Sequence, residues 1–251
     1  MSIFGETYSK YYNLLYKDKN YKEEFDYLIE IINKYGNGSS KTVLDIGCGT
    51  GKHLKFFKDT GYDISGIDLS ENMIKEAKKY LLQDDGLFCC SASEFKINKK
   101  FDVIISLFHV MSYQILNVEL KNIFKNIKEH LVEGGLFIFD FWYGPAVLTD
   151  TPVVRIKHLE DNEIKIARIT EPVMHSNTNI VDVNFEVLIS DKKTNKLEVI
   201  NETHKMRYLF LPEIEMLSEF AGLQMVNSYK WMTYENLSFD SWYGLAIIKK
   251  Q

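Results

Sequence analysis

A chain of 251 residues, 45% apolar and 26% charged, has the size and balance of one α/β domain with an insertion, and is small for two full domains. A formal net charge of −5, with lysines scattered along the chain, argues against an unspecific polyanion binder, so no nucleic acid partner is expected. The three cysteines, Cys48, Cys89 and Cys90, make a poor disulfide framework, and no apolar run approaches the roughly 18 residues of a spanning helix. A reduced, cytoplasmic protein with no membrane partner is expected. No C-x-x-C pair, His cluster or acidic constellation suggests a metal.

Phe25, Leu28, Ile29 and Ile32 follow helical spacing, and Gly36-Asn37-Gly38 ends that helix. Val43 to Ile46 reads as a short buried strand entering a glycine-rich turn. A second strand runs from Tyr62 to Ile67. Ser70 is positioned to cap a helix carrying Met73, Ile74, Ala77 and Leu81. Leu87–Cys90 and Phe101–Leu107 give the third and fourth strands. A helix marked by Leu120, Ile123, Phe124 and Ile127 closes at Gly134-Gly135, and Leu136–Phe141 is the fifth strand. Strands alternating with helices imply a parallel sheet covered on both faces.

Beyond Pro145 the pattern changes. Val181, Val183, Phe185 and Val187 alternate with polar residues, as on a half-buried antiparallel strand. Asp191–Asn195 reads as its turn and Leu197–Tyr208 as the return strand. A helix around Ile214, Leu217 and Ala221, capped by Gly222, precedes two strands near Met225–Trp231 and Trp242–Lys249. The expected organisation is a single domain. It comprises an N-terminal helical segment (1–40), a core carrying the glycine-rich turn (41–150), an antiparallel insertion (151–211) and a closing helix with strands (212–251).

Asp45-Ile46-Gly47-Cys48-Gly49-Thr50-Gly51 lies at a strand-to-helix turn, where glycines let backbone approach a ligand. The second strand leads to Asp68, the position of a ribose-binding acid. Asp45 separates two cofactors. It would repel the pyrophosphate of a dinucleotide, whereas the sulfonium and ammonium of S-adenosylmethionine accept a carboxylate nearby. The G-x-G-x-G spacing also differs from the dinucleotide G-x-G-x-x-G.

Val43–Gly51 resembles the first motif, and Gly66–Met73 the second, of the class I S-adenosylmethionine-dependent methyltransferases. Phe101–Leu107 and Gly134–Phe139 resemble their later core strands. The resemblance implies an α/β fold: a Rossmann-like class I methyltransferase sheet with helices on both faces and an inserted antiparallel sheet. It implies S-adenosylmethionine as cofactor, with Gly47 and Gly49 along its methionine part and Asp45 and Leu107 near it. Asp68 would hold the ribose hydroxyls, Leu69 would lie against adenine, and Met73 would support that pocket. Ser91 and Ala92 stand where relatives carry an adenine-binding acid.

Three segments face the acceptor side. His109, after the fourth strand, lies where active sites of such sheets form and could be a general base near neutral pH, or a hydrogen-bonded structural histidine. Glu202, His204, Met206 and Tyr208 share one face of a strand, a polar set suited to an acceptor bearing a hydroxyl or amine. The third is Tyr12–Tyr21. All three resemble parts of the methyltransferases that dimethylate the amine of nucleotide-linked deoxysugars. By that resemblance Tyr16 touches the cofactor site, and Tyr113 occupies a position held by His or an aromatic residue. The leading expectation is methylation of an amine or hydroxyl of a small, nucleotide-linked sugar. Candidate catalytic residues are His109, Tyr113, His204 and Glu202, and lysines and Arg207 are available for a diphosphate, although Arg207 points opposite to His204. The alternatives are another small-metabolite acceptor, or a catalytically silent cofactor-binding subunit. Homodimer formation is left open.

Overall fold

In the computed structural model, residues 19–82 and 86–251 are described, and the first element is helix α1 (Tyr21–Tyr35). Its N-terminus is capped by Asn20, whose side chain accepts from Glu23 N, and it buries Phe25, Leu28, Ile31 and Ile32. The core sheet follows. Strands β1 (Thr42–Ile46), β2 (Asp63–Asp68), β3 (Leu87–Cys89), β4 (Phe101–Ser106) and β5 (Leu131–Tyr143) are parallel, in spatial order β3-β2-β1-β4-β5. β11 (Tyr243–Lys249) adds antiparallel to β5, and β10 (Gln224–Lys230) antiparallel to β11.

Side chains alternate across this sheet and divide the core in two. Val43, Val103, Ile105, Leu136, Ile138, Leu245 and Ile247 pack under α1, α2 (Lys52–Asp59) and α3 (Glu71–Leu81). Leu44, Ile104, Phe137, Phe139, Ala246 and Ile248 pack under α4 (Asn117–His130) and α6 (Leu211–Phe220). Both faces are therefore covered. As the sequence suggests, Ser70 caps α3, accepting from Met73 N at 3.3 Å.

Strand β5 begins earlier than expected and runs through Gly134-Gly135, which the sequence places at a helix end. Backbone pairing explains the difference. Gly134 N donates to Lys250 O, and Lys250 N donates to Gly135 O, so the C-terminal strand recruits these glycines into the sheet.

After the short helix α5 (Gly144–Thr149), strands β6 (Arg155–Glu160), β7 (Ile164–His175), β8 (Ile180–Asp191) and β9 (Leu197–Leu209) form an antiparallel meander. Only β8 and β9 are readable from alternation. Pro172 sits inside β7, paired with Val183, and a proline argues against a strand when read from sequence alone. The meander joins the core where β9 pairs parallel with β5 at Trp142↔Tyr208 and Tyr143↔Leu209. That is just past the last β4–β5 pair, Ser106↔Phe139, so the insertion stands over the carboxyl ends of the core strands. Met73 at the start of α3 packs on Ile166 and Val187 of this sheet.

The base of the core is tied by Asp102. Its Oδ2 accepts from Lys41 N, Thr42 N and Thr42 Oγ1 at 2.9, 3.0 and 2.8 Å, linking β4 to the start of β1. Partial burial alone would raise this carboxyl, but the hydrogen bonds outweigh it and hold the pKa below its ordinary value. A depressed folded-state pKa contributes stability above the unfolded value near 4, and that stability is lost as pH falls through the folded value. Asp102→Asn is therefore expected to lower the melting temperature at pH 7, with the gap from wild type closing below about pH 4. A gap that stays constant to pH 2.5 in thermal scans would show that the charge contributes nothing.

Candidate functional site

A cavity of about 730 Å³ opens between the carboxyl ends of the core strands and the inserted sheet. Its floor is the turn after β1. Gly47, Gly49 and Gly51 have φ of +78°, +53° and +79°. At Gly47 a Cβ would lie 2.4 Å from a Val110 methyl, so only glycine permits that approach. At Gly49 a Cβ would meet nothing within 4 Å, which leaves bare backbone at the cavity wall. Gly47 N and Cys48 N both donate to Ile67 O, at 2.8 and 2.9 Å, fixing the turn to the end of β2.

Two carboxylates flank this turn. Asp68 Oδ2 accepts from Gly49 N at 2.9 Å and Oδ1 from Ser70 N at 2.8 Å. Burial raises its pKa, with these two backbone bonds opposing the rise. Asp45 is 2% exposed and lines the cavity. Burial, then the nearby Asp68 charge, push its carboxyl up to about 8, against the pull of Lys19. A cationic ligand with a vicinal diol matches this pair of acceptor carboxyls; a pyrophosphate does not. Leu69, 71% exposed, Met73, Ser91, Ala92 and Leu107 complete this end of the cavity. The Ser91 hydroxyl is engaged locally, accepting from Ser93 N at 3.2 Å.

The opposite wall is built by the segment after β4. Phe108 and His109 both adopt the left-handed region, with φ of +68° and +63°. Such conformations cost about 1–3 kcal/mol each and persist where surroundings enforce them. The enforcement is visible: His109 N donates to Asp140 Oδ1 at 2.9 Å, and the His109 ring stacks on Tyr243 with centroids 4.5 Å apart. His109 Nδ1 lies 2.8 Å from Asp140 Oδ2, an ion-pair distance without hydrogen-bond alignment. The following turn carries Tyr113, whose hydroxyl is 2.7 Å from His204 Nδ1 on β9. His204 Nε2 is in turn 3.3 Å from Glu202 Oε2. With Nε2–H facing the carboxylate, Nδ1 accepts from the Tyr113 hydroxyl.

The candidate catalytic and cofactor-side residues within the described residues all lie on this cavity wall; Tyr16 falls outside the described residues. Tyr208 shares the strand face with His204, but it is 0% exposed in a cluster with Val147 and Val181, away from the cavity. The phenol facing His204 comes from Tyr113 instead. Arg207, expected to point opposite to His204, is engaged by Glu213 and Ile115 O and is absent from the cavity wall.

Sequence reasoning missed a second buried network. Glu24 Oε2 is 2.6 Å from His53 Nε2, and its Oε1 is 3.1 Å from Lys19 Nζ, which lies over the Phe108 ring. Burial lowers the pKa of both Lys19 and His53, with Glu24 opposing. Trp142, Arg168, Phe185 and Tyr243 also line the cavity and were not singled out. No local motif announces them.

A methyltransferase domain family matches residues 43–135. A dTDP-3-amino-3,4,6-trideoxy-alpha-D-glucopyranose N,N-dimethyltransferase of Streptomyces venezuelae is 27% identical over 225 residues, 89% of this chain and 92% of that protein. A putative methyltransferase of invertebrate iridescent virus 6 is 34% identical over 229 residues, 82% of this chain and 81% of its own. The fold matches a Clostridium acetobutylicum S-adenosylmethionine-dependent methyltransferase with a TM-score of 0.82, at 23% identity and 98% and 99% coverage. The chain belongs to the class I S-adenosylmethionine-dependent methyltransferases. It is an enzyme, its cofactor is S-adenosylmethionine, and its acceptor is a small molecule. Among the described residues no helix is long and apolar enough to cross a membrane.

The Asp45 carboxyl makes a testable signature. Its folded-state value near 8 lies above an unfolded value near 4, so its contribution to stability is present below pH 4 and lost as pH rises toward 8. Asp45→Asn should therefore gain on wild type between about pH 5 and 8 in ligand-free thermal scans. Parallel pH profiles of the two proteins would contradict the assignment.

Proposed function

We propose that this enzyme methylates an amine or hydroxyl of a small sugar carried on a nucleotide. The observation that carries the proposal is the chain Tyr113–His204–Glu202, which places a phenol, an imidazole and a carboxylate in sequence on the acceptor wall. The likeness to an aminosugar dimethyltransferase over 89% of the chain supports it. The cofactor supplies a methyl group activated by its sulfonium. The protein must align an acceptor and remove one proton. In this reading the acceptor proton passes to Tyr113 Oη as the phenolic proton moves to Nδ1 of His204. Glu202 then faces the resulting imidazolium. His109, held by Asp140 and Tyr243, shapes the wall beside them and is the second candidate base.

On the cofactor side, Asp68 would bind the ribose diol, and Leu69 and Met73 would enclose adenine. Ser91 and Ala92 would edge the adenine ring. Gly47, Gly49, Asp45 and Leu107 would border the methionine portion. Asp68 has both oxygens already engaged by backbone N–H groups, yet a carboxylate has about four acceptor sites, so two remain for hydroxyls. Enzymes with such cofactors need no leaving-group acid, since the displaced thioether is neutral. The burden falls on the base, more for a hydroxyl than for an amine.

Asp68→Ala is expected to weaken S-adenosylhomocysteine binding by roughly tenfold or more, the range for losing hydrogen bonds to a charged acceptor. Unchanged calorimetric affinity would remove Asp68 from the cofactor site. Tyr113→Phe and His204→Gln should lower kcat by about 10²-fold or more with cofactor affinity intact. Rates within about twofold of wild type would leave the relay without a role. The substrate itself is tested with dTDP-, UDP- and GDP-linked amino and neutral sugars, read by mass spectrometry for added methyl groups. Methylation of a free amine or carboxylate metabolite alone would exclude the sugar reading.

A further inference from the structure

Arg168 lies on the cavity wall, on β7, with its guanidinium 4.9 Å over the Phe185 ring. Its Nε is shielded from solvent and makes no hydrogen bond. Among the described residues it forms no ion pair. Directly across the strand pair stands Lys157, and Arg155 is paired with Thr170, two residues along the same face from Arg168. Paired residues and i, i+2 neighbours point to one side of a sheet. This face therefore presents three cations, with two like charges directly opposite, an arrangement that destabilises a bare sheet. Three other cations of the insertion are matched with acids: Lys192 with Glu160, Lys193 with Glu163, and Arg207 with Glu213. Lys165, Lys196 and Lys205 are exposed to solvent. What sets Arg168 apart is that its unbonded Nε is buried at the cavity wall, where an anion from outside would supply the missing partner.

We propose that Arg168, with Lys157 and Arg155 behind it, is the site that holds a diphosphate group of the acceptor. The proposal deepens, and rests on, the nucleotide-linked reading above. Neighbouring cations on adjacent strands match two linked phosphates better than one carboxylate. The planar guanidinium, stacked on Phe185, is preorganised for bidentate contact with phosphate oxygens. From this anchor the acceptor extends across the same face, past Phe185 and Glu202, to His204 and Tyr113. Arg207 and the lysines at the hairpin ends take no part.

The test is calorimetric titration of the full chain, saturated with S-adenosylhomocysteine, with pyrophosphate, dTDP and malonate. Wild type is expected to bind pyrophosphate and dTDP, more weakly as salt rises. Arg168→Gln should weaken both by about tenfold or more, and Lys157→Gln by about two- to fivefold, the range for charged hydrogen bonds and exposed charges. Cofactor-product affinity should not move. If Arg168→Gln loses that affinity too, the comparison passes to Arg168→Lys, which keeps charge and stem and should cost dTDP binding about threefold. The proposal is overturned by absence of pyrophosphate and dTDP binding in wild type, by unchanged dTDP affinity in the folded Arg168 variant, or by malonate binding in their place. A nucleotide sugar methylated by Arg168→Gln at unchanged KM would remove the diphosphate site and leave the substrate reading standing. Pyrophosphate binding that depends on Arg168, with no sugar methylated, would do the reverse.

Discussion

The bare backbone of Gly47 is the constraint on which the site depends. The turn after β1 and the turn after β4 meet there, with Val110 methyls in the space a side chain would need. Val110 opens the segment that carries Tyr113 and directly follows His109. The floor of the cavity and the wall that carries Tyr113 are thus set against each other by one contact that only glycine allows. The same turn is bound to β2 through Ile67 O and through Asp68, so three adjacent strands fix it. A loop held by three strands behaves as part of the sheet, and precision of about half an ångström is what alignment of reacting groups requires.

The rest of the fold offsets what the site costs. Asp45, Asp68, Asp140, His53 and His204 are buried or lie against the cavity, and burying charge is unfavourable without partners. Phe108 and His109 add backbone strain. The compensation is a sheet whose alternating residues feed two separate apolar cores, with Phe137, Phe139 and Phe141 fully buried on one side. Polar and strained groups gather where the strands end and the covering helices no longer reach. Ligand sites of open α/β sheets form there for that reason. The inserted sheet closes the remaining side, with β9 taking over the edge of β5 past the end of β4.

The core elements and the glycine turn that floors the cavity were legible because their signals are local. Glycines in a strand-to-helix turn, an acid at the end of the next strand and a capping serine each depend on a few neighbouring residues. Structure and sequence part where long-range pairing decides. Gly134-Gly135 read as a helix stop, and the C-terminal strand drew them into β5. Pro172 hid β7, which lies between the readable β8 and β6, a strand that the sequence does not announce. Tyr208 was placed on the right face, but packing around Val147 and Phe210 took it into the core.

The sequence by itself determined the class of fold and the cofactor, and it named residues that line the cavity, because helix and strand periods and turn chemistry are written within short windows. Tertiary structure alone decided which side chains meet across the cavity. Tyr113 and His204 are 91 positions apart and touch only because the insertion rises from the carboxyl end of β5. His53 finds Glu24 because α1 and α2 pack side by side, and Arg168 reaches the cavity because the β7–β8 register sets it beside Phe185. Contacts of that kind follow from sheet register and layer packing, which no window of sequence contains.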